Sequence, residues 1–128
     1  MRVLLDTHAI LWWVNEYEKL SAVSKEMLLN EENTLYLSIA SAWEIAIKTS
    51  LSKLTGLDGG VKKFLTIVDN LPISLLPVKP RYVEIVEALP FIHRDPFDRM
   101  LIATAKADDM VILTADENIC KYDVPAMW

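Results

Sequence analysis

Four acidic side chains stand where an acid is placed to do chemistry. Asp6 directly follows an apolar run at residues 3–5. Asp116 follows another, residues 110–113, after a short step through Thr114 and Ala115. Glu44 lies about two turns into a segment with helical apolar spacing, and Asp98 falls in the first turn of a segment opened by Asp95-Pro96. Carboxylates gathered within a few ångströms raise one another's pKa and strain the fold. A hard cation with oxygen ligands relieves that repulsion. With no cysteine or histidine cluster nearby, magnesium or manganese is expected rather than zinc. Magnesium held by few carboxylates keeps waters, one of which can act as a nucleophile. Two ions can clamp the attacking and leaving oxygens of a phosphodiester.

Each acid also has a plainer use. Asp6 can end a strand and cap a helix, and Asp116 can cap the segment 117–122. Ser41-Ala42-Trp43-Glu44 matches a capping box, with Glu44 bonding back to the Ser41 backbone. Asp95-Pro96-Phe97-Asp98 reads as N-cap, proline at the first position and an acid at the third, which leaves Asp98 the freer of its two acids. Only convergence in space raises the four above these uses.

The elements that must bring them together alternate along the chain. Strands are expected at residues 3–5, 34–37, 73–78 and 110–113, with an edge strand in the tail 124–128. Pro77 restricts the third to an edge or a short strand. Helices are expected at 7–14, from an N-cap at Ser21 to residue 30, and at 40–51, 61–71, 80–89, 95–105 and 115–122. Such alternation predicts an α/β fold: a mainly parallel central sheet of four to five strands flanked by helices in three layers. Ligands in such sheets collect beyond the carboxyl ends of the strands.

The bulk composition agrees with one domain. The chain has 128 residues, 52% hydrophobic and 24% charged, with glycine scarce at 3. That is material for a sizeable core and argues against disorder. No apolar run reaches the ~18 residues a membrane helix needs, and the N-terminus lacks signal-peptide zones. A single cysteine, Cys120, forms no internal disulfide, so a reducing cytoplasm is the expected location. The net charge of −5 speaks against nucleic-acid binding unless bound divalent cations offset it.

Taken in order, Leu4-Leu5-Asp6-Thr7, Ser41-Ala42-Trp43-Glu44-Ile45, Asp95-Pro96-Phe97-Asp98-Arg99-Met100-Leu101-Ile102-Ala103 and Leu113-Thr114-Ala115-Asp116 resemble the motifs of PIN domains, and most of all those of VapC-type toxins of toxin–antitoxin pairs. The resemblance covers the whole chain and implies a single PIN-like nuclease domain over residues 1–128. It implies a magnesium- or manganese-dependent endoribonuclease holding one or two ions, with Asp6, Glu44, Asp98 and Asp116 as the catalytic, metal-binding quartet. It also implies an RNA substrate, a cognate antitoxin and a homodimer.

Neighbouring residues carry weaker expectations. Thr7 and Thr114 could orient the carboxylates, or serve as ordinary strand-end and cap groups. His93, Arg94 and Arg99 could contact substrate, the arginines as bidentate phosphate donors. They could equally pair with Asp95 or other acids. Lys48, one turn from Glu44, is expected to form an exposed ion pair of little weight. Trp12 and Trp13 are adjacent and so face different directions, and Cys120 is expected to be an inert small hydrophobe. Two other functions compete. A haloacid-dehalogenase-like phosphatase wants Asp-x-Asp after the first strand, whereas this chain has Asp6-Thr7-His8. A non-catalytic binding module with the same fold is weakened by retention of all four acids.

Overall fold

Alternate residues of a strand point to opposite faces of a sheet, and in the first strand both faces are apolar. In the computed structural model, which describes residues 1–128, Val3, Leu4 and Leu5 are all fully buried. Val3 and Leu5 enter one core, Leu4 the other. The strand is therefore central, with helices on both sides.

The order is β1 (Arg2–Leu5), α1 (Thr7–Asn15), α2 (Ala22–Leu29), β2 (Thr34–Ser38), α3 (Ile39–Ser50), α4 (Gly60–Asp69), β3 (Ile73–Leu76), α5 (Pro80–Ala88), α6 (Pro96–Asp108), β4 (Val111–Leu113), α7 (Glu117–Cys120) and β5 (Ala126–Met127). A 3-10 turn at Tyr17–Lys19 joins α1 to α2. All five strands pair in parallel, in the order β3-β2-β1-β4-β5. The expected α/β architecture is thus present with five strands. β3 stops at Leu76, before Pro77, and lies at an edge, and β5 forms the opposite edge.

One core packs Val3, Leu5, Leu35 and Leu37 against Ile10 of α1, Ile45 of α3 and Phe64 and Val68 of α4. The other packs Leu4 and Ile112 against Leu101 and Ile102 of α6, with Tyr82 and Tyr122. No helix is long and apolar enough to cross a membrane.

Helix starts fix the acids' positions. Asp6 caps α1, accepting from Ala9 N at 2.7 Å, and Asp95 caps α6, accepting from Phe97 N and Asp98 N. Asp116 caps α7 through Asn118 N. At α3 the capping-box expectation fails. The cap is Ser38, which accepts from Ala40 N, and Ser41 lies inside the helix. Glu44 is therefore in the second turn with its carboxylate free to point elsewhere. Cys120 also differs from expectation, being exposed rather than packed. Trp12 and Trp13 are both half-buried, and Trp12 meets the Trp128 ring edge-on at 5.3 Å.

Candidate active site

β1 and β4 are neighbours, yet the chain leaves them for opposite sides of the sheet. The crevice beyond their C-terminal ends is where an open α/β sheet binds ligands. Asp6 N donates to Leu113 O at 3.1 Å, so the ends of the two strands are locked in register. Asp6 and the Thr114–Asp116 turn emerge there together. The starts of α3 and α6 bring Glu44 and Asp98 to the same edge.

The inner half of the site is closely bonded. Asp6 is 3% exposed. One carboxylate oxygen accepts from Ala9 N, the other from the Thr114 hydroxyl. Burial pushes the Asp6 carboxyl above its ordinary range, and the charge of Asp116 adds to that, against the stabilising bonds from Thr114 and Ala9. Glu44 is also 3% exposed. The Thr7 hydroxyl donates to its Oε1 at 2.6 Å, and Lys48 Nζ donates to Oε2 at 2.6 Å. Ser41 Oγ lies 3.2 Å from the Thr7 hydroxyl. The hydrogen bond to Glu44 holds the Lys48 ammonium above its usual pKa. The Lys48–Glu44 pair therefore differs from the exposed pair expected, because its acid is buried.

The outer half is more open. His93 Nε2 lies 2.8 Å from Asp98 Oδ2 and 3.5 Å from Asp116 Oδ2. One ligand atom from each of these three residues falls within 4.8 Å of the others. Burial pushes the Asp98 carboxyl up to about 7. The charges of Asp95 and Glu44 act in the same direction, and the His93 hydrogen bond opposes them. Electrostatically, Asp116 thus acts on Asp6, and Glu44 acts on Asp98.

The expected residues therefore separate into groups. His93, Asp98 and Asp116 meet directly. Asp6 joins through Thr114, whose hydroxyl donates to Asp6 and accepts from Asp116 N at 3.0 Å. Glu44 joins through Thr7, the residue next to Asp6. Both threonine hydroxyls bond site carboxylates, so Thr114 does more than terminate a strand. Arg94 is exposed. Arg99 is 6% exposed, and its guanidinium donates to backbone carbonyls instead of facing the cluster, contrary to the phosphate-donor expectation. Sequence reasoning cast Ser41 as a helix cap rather than a site residue, gave no part to Tyr122, and only a marginal one to Lys48. The i,i+4 spacing of Glu44 and Lys48 was a usable signal once Glu44 is buried.

Whether this donor set suits a divalent cation is decided by its partners. Neither Asp6, Asp98 nor Asp116 has a lysine or arginine within ion-pair distance, and Glu44 alone has one. Crowded carboxylate oxygens with a single imidazole fit a hard, oxygen-preferring ion such as magnesium or manganese. Beside the acids runs a groove of about 570 Å³, lined among others by Thr7, His8, Trp12, Lys19, Lys48 and Lys53.

A parallel three-layer fold with carboxylates and a histidine beyond the strand ends defines an acidic, cation-compatible α/β site. The particular family follows from the sequence: residues 3–125 match the PIN domain, and the chain belongs to that family. No curated protein matches the sequence at a significant level. Among solved structures, the fold is similar to a chain of VapBC2 from Rickettsia felis bound to a promoter DNA fragment. The TM-score is 0.76 at 14% identity, over 100% of this chain and 99% of that one. It is similar to a chain of FitAcB from Neisseria gonorrhoeae, with a TM-score of 0.66 at 21% identity, over 98% and 96% of the two chains. It is also similar to a chain of DNA-bound VapBC from Salmonella typhimurium, with a TM-score of 0.68 at 14% identity, over 99% and 97%.

Proposed function

We propose that this PIN-domain chain is a divalent-metal-dependent endoribonuclease that hydrolyses RNA phosphodiester bonds, and that it is the toxin of a toxin–antitoxin pair. What supports the reading is the cluster of His93, Asp98 and Asp116 at the sheet edge, to which Thr114 links Asp6 and Thr7 links Glu44, with no arginine and a single lysine paired to any of the four acids. A magnesium or manganese ion, one or two per site, supplies charge stabilisation at the phosphoryl group and an activated water when bound. The four acids are its ligands in this reading, with His93 beside Asp98 and Asp116. Thr7 and Thr114 fix the inner carboxylates so that their oxygens do not rotate away from the ion. Asp6 suits a fixed ligand better than an attacking nucleophile, because both its oxygens already accept hydrogen bonds.

The groove beside the acids supplies a path for a single RNA strand. Lys53 offers charge to phosphates there, and Trp12 lines the wall with the Lys19 ammonium 5.9 Å from its ring centre. The toxin assignment draws on fold similarity to chains from VapBC and FitAcB. It brings with it a cognate antitoxin and a second copy of this chain as partners.

The test is cleavage of a structured and an unstructured RNA by the purified chain, with manganese, with magnesium and with chelator. Metal-dependent cutting that disappears in Asp98→Asn, with the fold intact by circular dichroism, is expected. Cutting that survives the amide change at each of the four acids would overturn the reading. Co-expression with a small protein encoded next to this chain, restoring growth that the chain alone stops, tests the toxin assignment separately.

A further inference from the structure

Behind the outer half of the site sits a buried arginine with no acidic partner. Arg99 follows Asp98 on α6 and turns inward. Nη1 donates to Pro90 O at 2.9 Å and to the Tyr122 hydroxyl oxygen at 3.2 Å, with His93 O at 3.5 Å. Nη2 donates to Val86 O at 3.1 Å and Leu89 O at 3.2 Å, carbonyls at the C-terminal end of α5, the first of which also accepts from Leu89 N. The Phe91 ring lies 4.5 Å from the guanidinium carbon. The Tyr122 hydroxyl completes the arrangement. It donates to Pro90 O at 2.7 Å and accepts from Ile92 N at 3.2 Å and His93 N at 2.9 Å.

A buried charge is costly unless its hydrogen-bonding capacity is used. A guanidinium presents five donors in one rigid plane, and here that plane spans a helix end and a loop. The segments joined are the end of α5, the 90–95 loop, α6 and the turn after α7. Of these, α6 carries Asp98 and the loop carries His93, while α7 connects the Tyr122 turn to its N-cap, Asp116. Two of the three outer-site residues therefore lie on segments held by this fastening, and the third lies one short helix away.

We infer that Arg99 and Tyr122 are positioning residues. They hold the 90–95 loop so that the His93 ring stays between Asp98 and Asp116, and they act on the site only through that placement. The positional claim stands on the hydrogen bonds alone. Its consequence for metal binding rests on the function proposed above.

Tyr122→Phe is the primary variant, because it removes the hydroxyl and keeps the ring packed. The chain has only two histidines, His8 and His93, so imidazole resonances in a ¹H–¹⁵N spectrum separate the two sites. In Tyr122→Phe the His93 ring signals are expected to shift or broaden while those of His8 hold. Manganese binding, followed by electron paramagnetic resonance, is expected to weaken ~10-fold in Tyr122→Phe and in His93→Ala. The double variant is expected to be no weaker than His93→Ala. Arg99→Lys keeps the charge without the planar fork, so it is expected not to restore the wild-type His93 signals.

Unchanged His93 signals in Tyr122→Phe would overturn the inference, as would losses in manganese affinity that simply add. A lower melting temperature with both readouts unmoved would mean that the cluster merely caps α5. A wild-type chain that binds no manganese and cuts no RNA would refute the ribonuclease reading, and the His93 spectrum would still decide the positional claim.

Discussion

The two halves of the acidic site differ in how their charges are answered. Asp6 and Glu44 are buried among fixed donors: a helix amide, two threonine hydroxyls and one lysine. Asp98 and Asp116 share a single histidine and are partly open to solvent. The inner half is organised before any ion arrives. The outer half holds repulsion that an ion would relieve. Under the proposed function, a bound cation would change the outer acids most, and the inner acids would decide where it sits.

The largest expected effect comes from removing an outer acid. Asp98→Asn lowers RNA cleavage at least ~100-fold, about 2.7 kcal/mol of barrier, while the apo protein becomes more heat-stable. An apo variant less stable than wild type would contradict the repulsion assigned to the outer half. Next comes the ion. Manganese or magnesium at ~100 times its dissociation constant stabilises the fold by about 2.7 kcal/mol, a rise in Tm on the order of 10 °C. In Asp98→Asn most of that rise disappears.

The inner half is probed by Thr7→Val and Thr114→Val. Each removes a hydroxyl bonded to a buried carboxylate, at a cost of ~1–3 kcal/mol in Tm-derived stability and ~10-fold in metal affinity. If these variants matched wild type in metal titrations, the inner acids would not be seating the ion.

The pH dependence has a definite sign. Asp98 titrates at about 7 in the folded chain against 3.8 for an ordinary aspartate, and Asp6 is shifted in the same direction. A raised carboxyl favours the folded state when protonated, so the apo protein loses stability as pH rises from about 4 to 7. Asp108, held low by its hydrogen bonds to Tyr82 and Arg81, works oppositely and loses its contribution only below its unfolded pKa. Thermal melts across this range without metal check the slope, and saturating manganese should flatten it. The smallest change in divalent affinity is expected at Lys48→Met. Its ammonium is partly exposed but its partner Glu44 is buried, so apo stability falls by ~1–3 kcal/mol, while divalent affinity rises a few-fold as the competing cation leaves.

How much of this was legible before folding depended on whether the partner was local. The parallel sheet was readable because strand-like and helical segments alternate along the chain, and the burial of Val3–Leu5 and Ile112–Leu113 fits strands covered on both faces. The strand-end rule pointed to Asp6 and Asp116. The helix α3 was read to within one residue, but its cap was misplaced because Ser38 and Ser41 both precede apolar residues at helical spacing, and only backbone geometry selects between them. Arg99 looked like a phosphate donor from its adjacency to Asp98. Successive helix positions point about 100° apart, so one faces the crevice and the other the interior. Tyr122 left no trace in the sequence, since its hydroxyl meets backbone groups about thirty positions away. Backbone acceptors carry no residue-type pattern to read.

The edge strand β5 reaches further than its two residues suggest. Thr114 N donates to Met127 O at 3.0 Å, and the Thr114 hydroxyl anchors Asp6. Trp128 sits against Trp12, a wall of the groove. Removing residues 126–128 would thus loosen the innermost carboxylate from a distance.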